Sequence, residues 1–292
     1  MTLPLLPPLA PTTAAASPAC HVRPARRVAG LLDGWEPVTT RVGLALAVLS
    51  PVLVLAGAMD VRAVAGDPVW TKPVKFALAF SIYLLTLGFF GRFVDRAWRR
   101  RIGFKVPVLA GASAIVMEQA IVTLQSARGV GSHFNVATPL DAGLYAAMGV
   151  GSLVLTAMTL PVAWGVARAR SSRLDGGIRS AIVMGLVLTF VLTLATAGTM
   201  AVLGGHQVGD TTGPLRTLAP MGWLRDVGDL RVPHFFATHA MHALPLLAWG
   251  IARARADDRR AAVLGAAFYV VAVGIVFAQA LAGRPLLALG GM

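Results

Sequence analysis

Seven stretches of about 17 to 25 mostly apolar residues, each long enough to cross a hydrocarbon core as a helix, constrain this chain more than any motif in it. They cover residues 42–58, 74–90, 106–124, 144–166, 182–203, 235–251 and 262–282. A bilayer interior offers no water to peptide groups, so such windows must satisfy their backbone internally, as α-helices do. The composition agrees: 56% hydrophobic residues, 13% charged residues and a mean hydropathy of +0.71 exclude an ordinary soluble domain of 292 residues. The expected fold is all-α, a polytopic membrane bundle of seven transmembrane helices. Pro51 and Pro245 fall inside the first and sixth windows and predict kinks repaired by neighbouring helices.

Arginine placement orients the bundle, because Lys and Arg in short loops are retained on the cytoplasmic side. Arg92, Arg96, Arg99, Arg100 and Arg101 follow the second window; Arg168, Arg170, Arg173 and Arg179 follow the fourth; Arg253, Arg255, Arg259 and Arg260 follow the sixth. These loops are expected inside, with the N-terminus cytoplasmic and the C-terminus extracytoplasmic. Trp98, Trp164 and Trp249 fall near the same inner ends, where amphipathic rings anchor. The formal charge of +13 is distributed among these loops, which points to anionic lipid head groups in a bilayer and not to nucleic acid. Residues 1–40, rich in Pro, Ala and Thr, read as a flexible cytoplasmic tail, and 41–292 as the transmembrane domain. The single cysteine, Cys20, rules out an intramolecular disulfide.

Polar residues gather toward the extracytoplasmic half. The segment Pro233-His234-Phe235-Phe236-Ala237-Thr238-His239-Ala240-Met241-His242 drives three imidazoles into the head of the sixth window, and a neutral imidazole in hydrocarbon needs partners for a donor and an acceptor. At about 100° per residue, His239 and His242 stand about 60° apart on adjacent turns and can share one ion. His234 belongs at the mouth. Glu118, an acidic residue within the third window, lies at a similar depth and marks a functional position as a proton relay, a metal ligand or, with Lys72, Lys75 or Arg128, an ion pair. His133 and His206 flank the fourth and fifth windows on the same side. Arg128, Asn135, Asp229 and Arg231 are expected around the mouth, with Asp226, Asp229 and Arg231 forming either a lid or a solvated loop. Arg128 to Asn135 and Arg231 to Phe236 enter the membrane alike, each placing a His-Phe pair near a helix start, the pattern of a duplicated hairpin.

Several segments carry a resemblance: Lys72-Pro73-Val74-Lys75-Phe76, Met117-Glu118-Gln119, the stretch from Arg128 to Asp141, Gly205-His206-Gln207-Val208-Gly209, and Gly228-Asp229-Leu230-Arg231-Val232-Pro233-His234-Phe235. Together they resemble a group of uncharacterised bacterial multi-span membrane proteins, over most of the chain after about residue 40. The resemblance implies the bacterial cytoplasmic membrane and a helical bundle, and no particular chemistry. Seven-span ceramidase-like zinc hydrolases are similar only in architecture: their terminal helix carries His-x-x-x-His, whereas the seventh window here has no histidine.

Three functions follow as expectations. The first is binding of haem b or a transition metal (Zn, Fe or Cu) by His239 and His242 for redox chemistry or electron transfer, with a quinone as candidate partner. In the haem case His133 or His206 supplies the second axial ligand, and in the non-haem case Glu118 completes the shell or moves protons. The second is a zinc hydrolase of a lipid-like substrate with Glu118 as base. The third is a cofactor-free proton-coupled transporter or membrane assembly factor.

Overall fold

The computed structural model describes residues 30, 32–64, 66–169, 174–210, 215–219, 221–254 and 259–287, the side chains of 251–254 excepted. Cys20 and the tail arginines lie outside these residues. Residues 34–292 form one compact unit; of residues 1–33 only a turn closed by the Asp33 N–H on the Gly30 carbonyl is described.

The apolar windows become helices that outrun them at both ends or nearly so: α1 (Pro37–Met59), α2 (Thr71–Gly91), a short α3 (Arg96–Arg99), α4 (Ile102–Arg128), α5 (Pro139–Ala157), α6 (Thr159–Arg168), α7 (Gly176–Leu203), α8 (Arg231–Ala254) and α9 (Arg259–Leu281). Polar caps set several starts. Glu36 accepts the Thr39 N–H ahead of α1, and Thr138 accepts the Asp141 N–H ahead of α5, each followed by a proline that tolerates the first turn. Because α1 begins at Pro37 and Trp35 packs edge-on against Phe89, ordered chain starts before residue 41.

Among the described residues, six helical segments are long and apolar enough to cross a membrane: α1, α2, α4, the α5–α6 pair, α7 and α9. The chain is therefore a multi-pass helical membrane protein. The sixth of the seven windows becomes α8, a 24-residue helix that carries Arg231 and three histidines in its first half and is not one of these six; the side chains of its last turn lie outside the described residues. The fourth window is split at Met158. Pro161 has no N–H for the Ala157 carbonyl and its ring clashes there, so α5 ends at Ala157 and α6 restarts at Thr159.

Three antiparallel helix pairs, α1 with α2, α4 with α5 and α7 with α8, supply the closest packing, and α9 leans on α7 and α8. Leu84, Leu87, Phe104, Ile115, Met158, Leu186 and Met241 form the central core, while Val48, Leu55, Leu264 and Phe268 project outward, as a lipid-facing surface requires. Small residues permit the tightest crossing. A Cβ at Gly185 of α7 would stand 2.9 Å from the Ala240 carbonyl of α8.

The turns joining each pair lie at one end of the bundle. That end carries three two-residue antiparallel ladders: β1 (Ala63–Val64) with β2 (Asp67–Pro68), β3 (Gln207–Val208) with β6 (Gly228–Asp229), and β4 (Thr217–Leu218) with β5 (Trp223–Leu224). The opposite end carries the arginine-rich loops.

Candidate functional site

The imidazoles of α8 sit below the ladder-bearing end, and their hydrogen bonds fix where each ring holds its proton. His239 Nδ1 lies 2.8 Å from the Phe235 carbonyl, which can only accept, so Nδ1 carries the hydrogen and Nε2 keeps its lone pair. The ring is further held by stacking on Phe235, with centroids 4.1 Å apart. His242 Nε2 lies 3.0 Å from Thr86 Oγ1 of α2. The Thr86 hydroxyl already donates to Ile82 O at 2.7 Å, so it accepts from Nε2–H. His242 Nδ1 is then a bare acceptor, buried and without a partner.

The two ring centroids are 5.2 Å apart at 42°. Two imidazoles bound side by side to one ion at ~2.0–2.1 Å would place their centroids roughly 4.5–5.2 Å apart. His234 follows the same logic, donating Nδ1–H to Thr196 Oγ1 at 3.1 Å while that hydroxyl donates to Leu192 O.

His133 differs. The Lys72 ammonium reaches its Nδ1 at 3.1 Å and has only hydrogens to give, so Nδ1 accepts and Nε2 carries the proton. Burial, with Lys72 and His234 nearby, pushes His133 down to about 3, so it stays neutral. His206 stands elsewhere, Nδ1 3.4 Å from Asp229 Oδ1 without a well-formed hydrogen bond.

Glu118 is buried at 4% exposure, faces Gly151 of α5, and has a carboxylate oxygen with no partner. The three cations considered for it are engaged elsewhere: Lys72 with His133, Lys75 with Met221 O, and Arg128 with Asp141. Neither an ion pair nor a hydrogen bond joins Glu118 to a histidine among the described residues.

The remaining mouth residues build the turns. Arg128 and Gln125 both donate to Asp141 and bind α4 to α5, while Asn135 bonds Gly131 O and the Ala137 N–H within its own loop. Asp229 is buried at 1% exposure. It accepts from the Leu224 and Arg231 backbone N–H groups and from the Arg231 guanidinium, which also reaches Gly222 O. Burial alone would raise the Asp229 carboxyl, but His206, Arg231 and Leu224 outweigh it and hold the group well below the usual carboxylate range. Asp226 pairs with Arg216 on the exposed surface. Asp229 is thus the buried half of a clasp whose Arg231 side chain is one-third exposed, fixed to the turn and the start of α8.

Among the described residues, no group of three or more His, Cys, Asp or Glu side chains converges to hold a metal ion. Sequence reasoning located the histidines but missed Thr86 and Thr196, whose hydroxyls approach from distant helices. None of the family models, curated proteins or solved structures compared with the chain matches it.

Proposed function

We propose that this is a bacterial cytoplasmic-membrane protein of seven crossings, N-terminus inside, that binds a transition-metal ion through His239 and His242 and uses it for redox chemistry. The observation that carries this reading is the proton placement on the pair: each ring gives its N–H to a fixed acceptor and keeps a lone pair on the other nitrogen. Metal-bound histidines have this arrangement, with the non-ligating nitrogen oriented by a carbonyl or hydroxyl. An ion would also satisfy the buried His242 Nδ1. Two imidazoles leave other coordination positions to water, a substrate or an exogenous ligand, which suits Cu, Fe or Zn better than a hard cation, and of these only Cu and Fe supply the redox chemistry.

The donor set fits haem less well. A haem iron takes its protein ligands from opposite faces, whereas His239 and His242 lie on adjacent turns of one helix. The proposed partners are compromised: His133 holds its proton on Nε2 opposite Lys72, and His206 sits beside Asp229. A Glu118-assisted hydrolase lacks support, since the carboxylate faces α5.

One observation favours a second reading, a proton-coupled carrier: among the described residues no third ligand converges on the pair, while His239 and His242 stand ring beside ring, centroids 5.2 Å apart, with His242 Nδ1 lacking a partner. Elemental analysis and oxidised and dithionite-reduced visible spectra on protein purified in mild detergent separate the two. Near-stoichiometric transition metal, lost in both His239→Ala and His242→Ala, is expected. Metal-free protein, or metal retained in full by both variants, overturns the metal reading, and a Soret band replaces it with haem.

A further inference from the structure

The two sides of α8 differ in what covers them. Ala237, Ala240, Met241 and Leu244 are buried on the side that packs against the bundle. Phe235, His239, His242, Leu246 and Trp249 recur every three or four residues and so share a stripe on the opposite side. Leu246 is 65% and Trp249 49% exposed, so the stripe that carries the imidazole pair continues toward the arginine-rich end as a lipid-facing surface. On α2, Lys75, Ile82 and Thr86 form a second stripe, with Ile82 53% exposed and Thr86 half-buried. The backbone of α8 packs closely on α7 and α9 but not on α2. Side chains bridge that gap: His242 Nε2 bonds to Thr86 Oγ1, and at the ladder-bearing end Lys75 Nζ bonds to Met221 O. The two stripes are therefore the walls of a groove on the outside of the bundle, with the imidazole pair on one wall.

Depth decides what such a groove can admit. His239 and His242 stand roughly 12 and 16 Å along α8 from Arg231. The helix beside them, α7, is a spanning segment bound to α8 through Thr196 with His234 and Thr189 with the Met241 N–H. At that depth water is scarce and phospholipid head groups are out of reach, while acyl chains have no hydrogen to donate. Yet His239 Nε2 keeps a lone pair and, unlike His242 Nδ1, is not sealed from its surroundings. Phe235, stacked on the His239 ring, continues into an aromatic wall through Phe236 and Trp223. The occupant that fits is soluble in the bilayer, carries an O–H donor inside the hydrocarbon, and presents a flat ring to aromatic neighbours.

We propose that the groove between α2 and α8 admits a lipid-soluble quinol sideways from the bilayer and seats its ring beside Phe235 and His239. The quinol hydroxyl meets the His239 Nε2 lone pair or, with an ion on the pair, one of the open coordination positions. This names the substrate class of the redox site proposed above, and it rests on that reading for the role of the pair.

The test is anaerobic binding of decyl-ubiquinol to the detergent-purified full chain, read as a saturable rise in Tm, for wild type, Ile82→Trp, Leu246→Trp and Leu264→Trp. The first two indoles narrow the groove, one from each wall, and leave every imidazole in place; Leu264, 69% exposed on α9, lies on a different lipid-facing surface. The wild type is expected to bind saturably, the two groove variants to need roughly tenfold more quinol, and Leu264→Trp to match the wild type. The dimethyl ether of decyl-ubiquinol, which keeps ring and tail but has no hydroxyl to donate, should bind roughly tenfold more weakly than the quinol. Absence of saturable binding, groove variants that bind as the wild type does, or all three tryptophan variants weakened alike would overturn the proposal. Equal binding of the ether overturns it as well, since an alkyl chain alone would then account for the occupancy. Metal content is measured on the same samples, and the titration is repeated after chelation. Protein that purifies without metal but binds quinol through the groove sinks the metal reading alone, and metal-loaded protein that binds no quinol sinks the present inference alone.

Discussion

A histidine offers a nitrogen lone pair only when its other nitrogen has an acceptor for its proton, and that rule sorts the imidazoles of this protein. His239, His242 and His234 pass it through Phe235 O, Thr86 and Thr196; His133 fails it because Lys72 can only donate. The i, i+3 spacing of His239 and His242 was legible in the sequence because helix periodicity is local. Their proton placement was not, because the acceptor for His242 lies 156 residues away on α2. Thr86 therefore provides the sharpest residue-scale prediction. Thr86→Val keeps the size of the side chain but removes the acceptor, freeing His242 to flip or change tautomer. Metal affinity is expected to fall roughly 10- to 100-fold while thermal stability drops by only about 1 kcal/mol. Equal metal affinity in Thr86→Val and wild type, measured by competition with a chromophoric chelator, would show that the hydroxyl does not orient the ring.

Elements are joined at the ladder-bearing end by Asp–Arg pairs, one for each helix hairpin: Asp60 with Arg62, Asp141 with Arg128, and Asp229 with Arg231. Sequence patterning saw Arg128, Asp229 and Arg231 as mouth or lid because it registers charge near a window but not burial, and it did not single out Asp60 or Arg62. The Asp229 clasp is the most enclosed, and it fixes the start of α8 and hence the height of its histidines. Its carboxyl is depressed in the folded state, so its contribution is full above the ordinary carboxylate value of ~3.9 and is lost as pH falls through the lower folded value. Acid titration of Tm should therefore show a steep limb below that range in the wild type and a shallower one in Asp229→Asn. At neutral pH the variant should lose roughly 1–3 kcal/mol, discounted because Arg231 is about one-third exposed. Identical acid limbs would remove the clasp from the account. The α7–α8 crossing gives a steric counterpart. Gly185→Val would drive a branched side chain into the Ala240 carbonyl, and separating the helices should cost roughly 1–3 kcal/mol and, unlike Thr86→Val, lower stability and metal content together.

For the molecule as a whole, apolar length was the most legible property, since each window contains enough residues to span and folds as helix. The split at Met158 was less legible, although Pro161 stood in the sequence, because a proline's effect on a membrane helix depends on neighbours such as Gly111, where Met158 packs. The status of α8 is the consequential question, because it is not one of the six segments found among the described residues and yet it carries the histidines of the candidate site. Two crossings related by a short turn put their outer termini on the same side, so α8 can be tested from its flanks. In a Cys20→Ser background, single cysteines at exposed positions Val61, Arg100, Asp210 and Arg259 would be challenged in intact cells with a membrane-impermeant maleimide. Labelling of Val61→Cys and Asp210→Cys without lysis, and of Arg100→Cys and Arg259→Cys only after it, is the expected pattern. Labelling of Arg259→Cys together with Asp210→Cys would mean that α8 does not cross, leaving its imidazoles in a re-entrant or interfacial helix. The reverse pattern, with only Arg100→Cys and Arg259→Cys labelled in intact cells, would invert the bundle. The proposed metal pair would then open toward the cytoplasm, and its electron donor would have to be sought there.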